Sequence, residues 1–198
     1  MEIICHRRNS IEELIETSTS YGVEVDIRTN GNDLIINHDP LKDGILFKEW
    51  IKNYNHGTLI LNVKEEGLEE PILNLMKIHN IKNYFFLDQS FPFLIKCAQM
   101  VEKKAAVRVS EYEAVQTAIN LSGIVDWVWL DCFSNFPISI EDFRLIRNCG
   151  FKVCLVSPEL QGRNSDVELN QLIDFIISNQ LDLNAVCTKK PKLWESRF

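Results

Sequence analysis

Short apolar runs recur along this chain, and stretches with helical starts and stops lie between them. Eight of the runs read as strands: Ile3–Cys5, Gly22–Arg28, Leu59–Lys64, Tyr84–Leu87, Ala105–Val109, Trp127–Leu130, Lys152–Val156 and Ala185–Cys187. Most are short, near-continuous apolar runs, which suits strands buried on both faces. Strands that alternate with helices build a parallel sheet, and eight is the number that closes a (β/α)8 barrel. The competing architecture is a doubly wound open sheet. Its Gly-rich first turn is missing, because His6-Arg7-Arg8-Asn9 follows the first strand. The expected fold is therefore α/β, a single small TIM barrel over residues 1–198 with no break that marks a domain boundary.

Local signals fill in the pattern. The turn Asn30-Gly31-Asn32-Asp33 predicts an extra hairpin strand over Leu34–Asn37. Ser10-Ile11-Glu12-Glu13 and Ser110-Glu111-Tyr112-Glu113 have the capping-box pattern, and Ser139-Ile140-Glu141-Asp142 is a near variant. Gly22, Gly123 and Gly150 stand where left-handed helix C-caps are wanted. Ser165 or Asp166 should cap a helix running to about Gln180, with Val167, Leu169, Leu172, Ile173, Phe175 and Ile176 on its apolar side.

Composition excludes several classes of function. A chain of 198 residues suits one sizeable core, with 45% hydrophobic and 25% charged residues. Its net charge of −7 argues against nucleic acid or an anionic membrane as the main partner. Membrane insertion is not expected, since no apolar run nears the roughly 18 residues needed to span a bilayer. The start, Met1-Glu2-Ile3-Ile4, lacks the basic segment and cleavage site of a secretory leader. Six cysteines (Cys5, Cys97, Cys132, Cys149, Cys154 and Cys187) form no C-x-x-C pair, and four are expected inside strands as small apolar fillers. The expected compartment is the reducing cytoplasm.

Polar residues gather at the C-terminal ends of the predicted strands, where barrel chemistry sits. Glu24 and Asp26 project to one side of strand two, while Val23, Val25 and Ile27 project to the other. Two carboxylates side by side repel, and a hard divalent cation relieves that conflict. His6 and Arg7 follow strand one, Asn62 and Lys64 lie at strand three, and Asp88, Arg108, Asp131, Ser157 and Thr188 fall at later strand ends. His38-Asp39 lies in the loop beyond the hairpin strand. Histidines move protons near neutral pH, and Arg7, Lys64 and Arg108 suit an anion such as phosphate. Structural roles are expected for His56 and His79, and a solvated loop and helix start for Glu65, Glu66, Glu69 and Glu70. Trp129 or Phe133 is a candidate pocket wall.

His6-Arg7, then Glu24-x-Asp26, then His38-Asp39 resembles the signature of the glycerophosphodiester phosphodiesterases, within the phosphatidylinositol phospholipase C-like superfamily. Leu61-Asn62-Val63-Lys64 aligns with that family's Glu-Ile-Lys motif, and Val186-Cys187-Thr188-Lys189-Lys190-Pro191 is similar to its last strand. The resemblance implies an acid–base pair of His6 and His38, and phosphate held by Arg7 and Lys64. It implies one divalent cation, Mg2+ or Ca2+, held by Glu24, Asp26 and Asn62. A neighbouring substrate hydroxyl would attack phosphorus, giving a cyclic phosphate that water opens. Four departures stand out: Asn62 replaces a carboxylate, Arg8 replaces the glycine of His-Arg-Gly, the family's Glu-Asn-Thr after strand one is absent, and Leu41–Trp50 replaces the family's loop after His38-Asp39. The expected substrate is a small soluble phosphodiester. The alternatives are a phosphodiester intermediate of cell-surface polysaccharide, as hydrolase or lyase substrate, and an inactive barrel that binds phosphorylated ligands.

Overall fold

The computed structural model describes residues 1–100 and 102–198. Strand β1 (Glu2–Cys5) leads through α1 (Ile11–Glu16) to the long β2 (Gly22–Asn30). The hairpin strand β3 (Asp33–Ile36) and the two-residue β4 (Ile45–Leu46) precede α2 (Phe47–Trp50) and a 3-10 turn, Ile51–Asn53. Then come β5 (Leu59–Val63), α3 (Glu69–Ile78), β6 (Tyr84–Leu87) and α4 (Phe91–Met100). The remainder is β7 (Ala106–Val109), α5 (Val115–Asn120), β8 (Trp127–Leu130), α6 (Ile140–Asn148), β9 (Lys152–Val156), α7 (Asp166–Ser178), β10 (Ala185–Thr188) and α8 (Pro191–Glu195). All the predicted strands are present, with ends within one or two residues, and strands alternate with helices outside the run from β2 to β4. β4 was not expected; two residues are too few to show a period.

The chain forms two units: Cys5–Ala105, and Ala106–Phe198 together with Met1–Ile4. In the first unit β2 is the central strand. It pairs in parallel with β5 and antiparallel with β3; β5 continues in parallel to β6, and β3 continues antiparallel to β4. Residues Gly22–Ile27 of β2 are all buried, Glu24 and Asp26 among them. Trp50 is buried against Phe47, and its indole N–H donates to the Arg8 carbonyl at 2.9 Å. Burying one such ring is worth about 2–3 kcal/mol, and here it also fixes the backbone of the His6–Asn9 segment. Ser10 and Glu13 close the expected capping box at the start of α1.

Three local expectations are corrected in the structure. Gly22 is not a C-cap: α1 already ends at Thr17, and Gly22 opens β2 without a left-handed backbone, unlike Gly123 (φ 73°) and Gly150 (φ 90°). Ser110 is no helix cap, because α5 starts at Val115 behind Ala114. Its hydroxyl instead closes a turn, accepting from the N–H groups of Tyr112 and Glu113 at 3.1 Å each. A serine satisfies local N–H groups equally well in either setting. Glu69 opens α3 but is buried rather than solvated, with Gln89 Nε2 donating to it at 2.8 Å.

The second unit carries its strands in the order β1-β10-β9-β8-β7, with β7 to β10 parallel. α7 is capped by Ser165 and buries Leu169, Ile173 and Ile176; Val167, at its first turn, is exposed. Cys132 is buried beyond the end of β8 rather than within it. Among the described residues no disulfide joins any of the six cysteines. Glu159 is a buried clasp that accepts from Ser157 Oγ and Thr188 Oγ1 at 2.5 Å each and from the Lys189 N–H at 2.9 Å. Ser157 Oγ in turn accepts from the Trp194 indole at 3.0 Å, tying α8 to the strand ends. Among the described residues no helix is long and apolar enough to cross a membrane.

Glu111 fills a small anion nest in the same unit. Its carboxylate accepts from the N–H groups of Phe133, Ser134 and Asn135 at 3.1, 2.7 and 3.0 Å and from the Ser134 hydroxyl at 2.9 Å. Partial burial opposes ionisation, but the N–H groups of Asn135 and Ser134 outweigh it and hold the carboxyl down at about 2. A carboxyl depressed on folding stabilises above its unfolded pKa, and that contribution is lost as pH falls through the folded value. Glu111→Gln should therefore melt below wild type at neutral pH, and the gap should close as pH falls from about 4.5 to about 2. Thermal melts across that range check this; a gap that does not change with pH contradicts it.

Candidate active site

Two buried carboxylates set the geometry of the first unit. The parallel register of β2 and β5 puts Asp26 beside Asn62, on the face that Glu24 shares. Asn62 Nδ2 donates to Glu24 Oε1 at 2.8 Å. The chain after β1 then folds over the pair. Arg7 adopts a left-handed backbone (φ 51°), and its N–H donates to Glu24 Oε2 at 2.7 Å. His6 Nε2 lies 3.8 Å from that same oxygen, and Arg7 Nε lies 3.4 Å from Asp26 Oδ2. From the end of β5, Lys64 Nζ sits 3.2 Å from Asp26 Oδ1 and 3.1 Å from Asp88 Oδ2. Asp88, just past β6, is also left-handed, at φ 61°. A non-glycine residue in that region costs about 1–2 kcal/mol, and two such residues stand at the strand ends of this site.

His38 reaches the site from the loop between β3 and β4. Arg28 pins its carbonyl, donating from Nε and Nη2 at 3.2 and 3.1 Å, and pairs in turn with Glu65 at 3.3 Å. The His38 ring holds Asp39 Oδ1 through Nδ1 at 3.0 Å. That hydrogen bond keeps the Asp39 carboxyl below its ordinary range. A carboxylate accepts only, so Nδ1 is the donor to Asp39, and in the neutral ring the lone pair falls on Nε2. His38, Arg7, Asn9 and Asn37 line one cavity of about 580 Å³, with Gly44 in its wall. A Cβ at Gly44 would meet the Ile36 carbonyl oxygen at 2.4 Å, so only glycine permits this close approach.

The electrostatics are those of an incompletely balanced anion pair. Burial, followed by the charge of Asp26, pushes the Glu24 carboxyl up to about 7. Hydrogen bonds from Asn62 and the Arg7 N–H, and the charge of Lys64, pull against that rise. Asp26 Oδ1 and Asn62 Oδ1 are buried oxygens with no hydrogen-bond donor. Together with Glu24 they form a set of hard oxygen donors short of positive charge, which fits a divalent cation. Among the described residues no three His, Cys, Asp or Glu side chains gather as a metal-binding group.

Direct contacts thus join His6, Arg7, Glu24, Asp26, Asn62, Lys64 and Asp88, and His38 shares a cavity wall with Arg7. Arg108 belongs to the other unit, on β7. Its guanidinium holds Asp131 Oδ2 at 2.6 Å and lies 3.7 Å from Glu113 Oε1. Asp131 is also bonded by Gln161 at 2.5 Å. His56 Nε2 holds the Thr17 carbonyl at 3.0 Å, and His79 stands at the end of α3. Trp129 is buried, while Phe133 meets Tyr112 edge-on at 5.6 Å. Sequence reasoning missed Asn9, whose carboxamide bonds Asp26 twice. An asparagine directly before a helix cap reads as loop, and no local signal ties it to a residue 17 positions on.

No family model matches the chain, and no curated protein matches it. Solved structures do share its fold. A glycerophosphodiester phosphodiesterase from Thermotoga maritima superposes with a TM-score of 0.72 at 14% identity, covering 98% of this chain and 96% of that one. A glycerophosphoryl diester phosphodiesterase from Parabacteroides distasonis gives 0.68 at 13% identity, covering 99% and 85%. The tryptophan synthase α-subunit of Pyrococcus furiosus gives 0.55 at 11% identity, covering 97% and 87%. The chain therefore has the fold of the glycerophosphodiester phosphodiesterases over nearly its whole length.

Proposed function

We propose that this chain is a phosphodiester hydrolase dependent on Mg2+ or Ca2+, built as a (β/α)8 barrel and acting on a small phosphodiester such as a glycerophosphodiester. The observation that carries the reading is the buried Glu24–Asp26 pair, with Asn62 bonded to it and His6, Arg7 and Lys64 packed against it. The fold shared with two glycerophosphodiester phosphodiesterases supports the reaction class. Six cysteines held as thiols support a cytoplasmic location.

In this reading Arg7 and Lys64 hold the phosphate oxygens and stabilise their charge. His38 Nε2 takes the proton of a substrate hydroxyl, and that oxygen attacks phosphorus. His6 gives a proton to the departing alkoxide. The resulting cyclic phosphate is opened by water with the two roles exchanged, so both histidines end as they began. Glu24, Asp26 and Asn62 would hold the cation, which supplies Lewis-acid polarisation of a phosphoryl oxygen. Asp39 fixes the tautomer of His38, and Arg28 fixes its loop. A second reading, a barrel that only binds phosphorylated ligands, is favoured by one observation: Asn62 leaves the donor set a charge short.

Turnover separates the two readings. Against a panel of glycerophosphodiesters and sugar-linked phosphodiesters, wild type should release the alcohol with added Mg2+ or Ca2+ and stop in chelator. His6→Ala and His38→Ala should each lower kcat by about 10²–10⁴, and the double variant should lose little more. Unchanged turnover in both single variants would sink the mechanism, and no turnover on any diester would leave the binding reading. Asn62→Asp keeps the shape but removes the donor to Glu24 and adds a third carboxylate. It should melt below wild type in chelator and gain more from added cation. Equal gains in the two proteins would take Asn62 away from the cation.

A further inference from the structure

Strand β1 stops at Cys5, and the chain beyond it continues to serve the edge of β2. The Arg8 N–H donates to the Glu24 carbonyl at 2.9 Å. At the next rung a side chain replaces backbone: Asn9 Oδ1 accepts from the Asp26 N–H at 3.1 Å. The same carboxamide turns its Nδ2 to Asp26 Oδ2 at 2.9 Å. Asn9 therefore grips Asp26 at two points, one on the backbone and one on the carboxylate. A carboxamide sets an acceptor oxygen beside a donor nitrogen, and here both atoms are engaged.

The grip decides which oxygen Asp26 offers. Oδ2 is taken by Asn9, with Arg7 Nε 3.4 Å away. Oδ1 is buried, has no hydrogen bond, and faces the Lys64 ammonium at 3.2 Å. With its backbone N–H and one carboxylate oxygen both held by one side chain, the Asp26 carboxylate cannot turn without breaking its hydrogen bond to Asn9.

We propose that Asn9 is the positioning residue of the site: it locks the Asp26 carboxylate so that Oδ1 is the oxygen presented to a divalent cation. This rests on the cation-dependent reading above. Asn9 touches neither cation nor substrate in this role; it acts through Asp26, as partners behind metal ligands do.

The test is Mn2+ binding to the full chain, read by electron paramagnetic resonance, beside thermal melts in chelator. Wild type should bind Mn2+ and Glu24→Gln should not. Asn9→Ala should bind about 10–100-fold more weakly, as is usual when such a partner is lost. Its kcat should return when Mn2+ is raised to saturation, since the ligands themselves are intact. Asn9→Ser keeps one hydroxyl that can reach one of the two partners, and should fall between; if Asn9→Ala does not fold, the serine variant decides alone. A merely structural role for Asn9 would lower the melting temperature and leave the Mn2+ affinity of the folded protein at the wild-type value. That result overturns the proposal and leaves the cation reading standing. Wild type that binds no Mn2+ overturns both.

Discussion

Two carboxylates two residues apart on a strand buried on both faces are the constraint from which the rest of the site follows. An uncompensated buried charge costs several kcal/mol, and here two would be buried side by side. Each surrounding group can be read as a response to that cost. Arg7 bends into a left-handed backbone and donates its N–H, Asn62 donates an amide hydrogen, Asn9 closes on Asp26, and Lys64 brings a charge. Even so, the Glu24 carboxyl remains pushed up to about 7, so these partners do not balance the pair. A chain needing only stability would have placed apolar residues at both positions.

Fold and chemistry separate in this molecule. The same superposition that matches phosphodiesterases also matches a tryptophan synthase α-subunit, so architecture alone selects no reaction. What distinguishes this chain lies at the strand ends and in the loop carrying His38. That loop is held from behind: Arg28 grips the His38 carbonyl while Glu65 grips Arg28. The ring is thus fixed through its backbone on one side and through Asp39 on the other.

The strands were legible because their apolar runs are uniform and bounded by polar turns. Glu24 and Asp26 were legible because ionisable residues are conspicuous within such a run. Misreadings arose where one residue type serves two local ends. Ser110 satisfies N–H groups in a turn as readily as at a helix start, and Gly22 opens a strand as readily as it closes a helix. Glu69 looked solvated in an acidic run, yet Gln89, 20 residues away, gives it a buried partner. Asn9 was silent for the same reason: its role exists only once β2 lies beside it. Arg108 stands at a strand end, where its sequence place suits an anion, and its guanidinium pairs there with Asp131.

The left-handed backbones of Arg7 and Asp88 have an evolutionary corollary. At both positions glycine would relax the chain, so drift toward greater stability pushes against the side chains that serve the site. Selection for a more robust protein and selection for a working one therefore disagree at two identifiable codons. Where these side chains are not needed, glycine is favoured at both positions, and they would be the first of the cluster to be lost, before any of the buried ones.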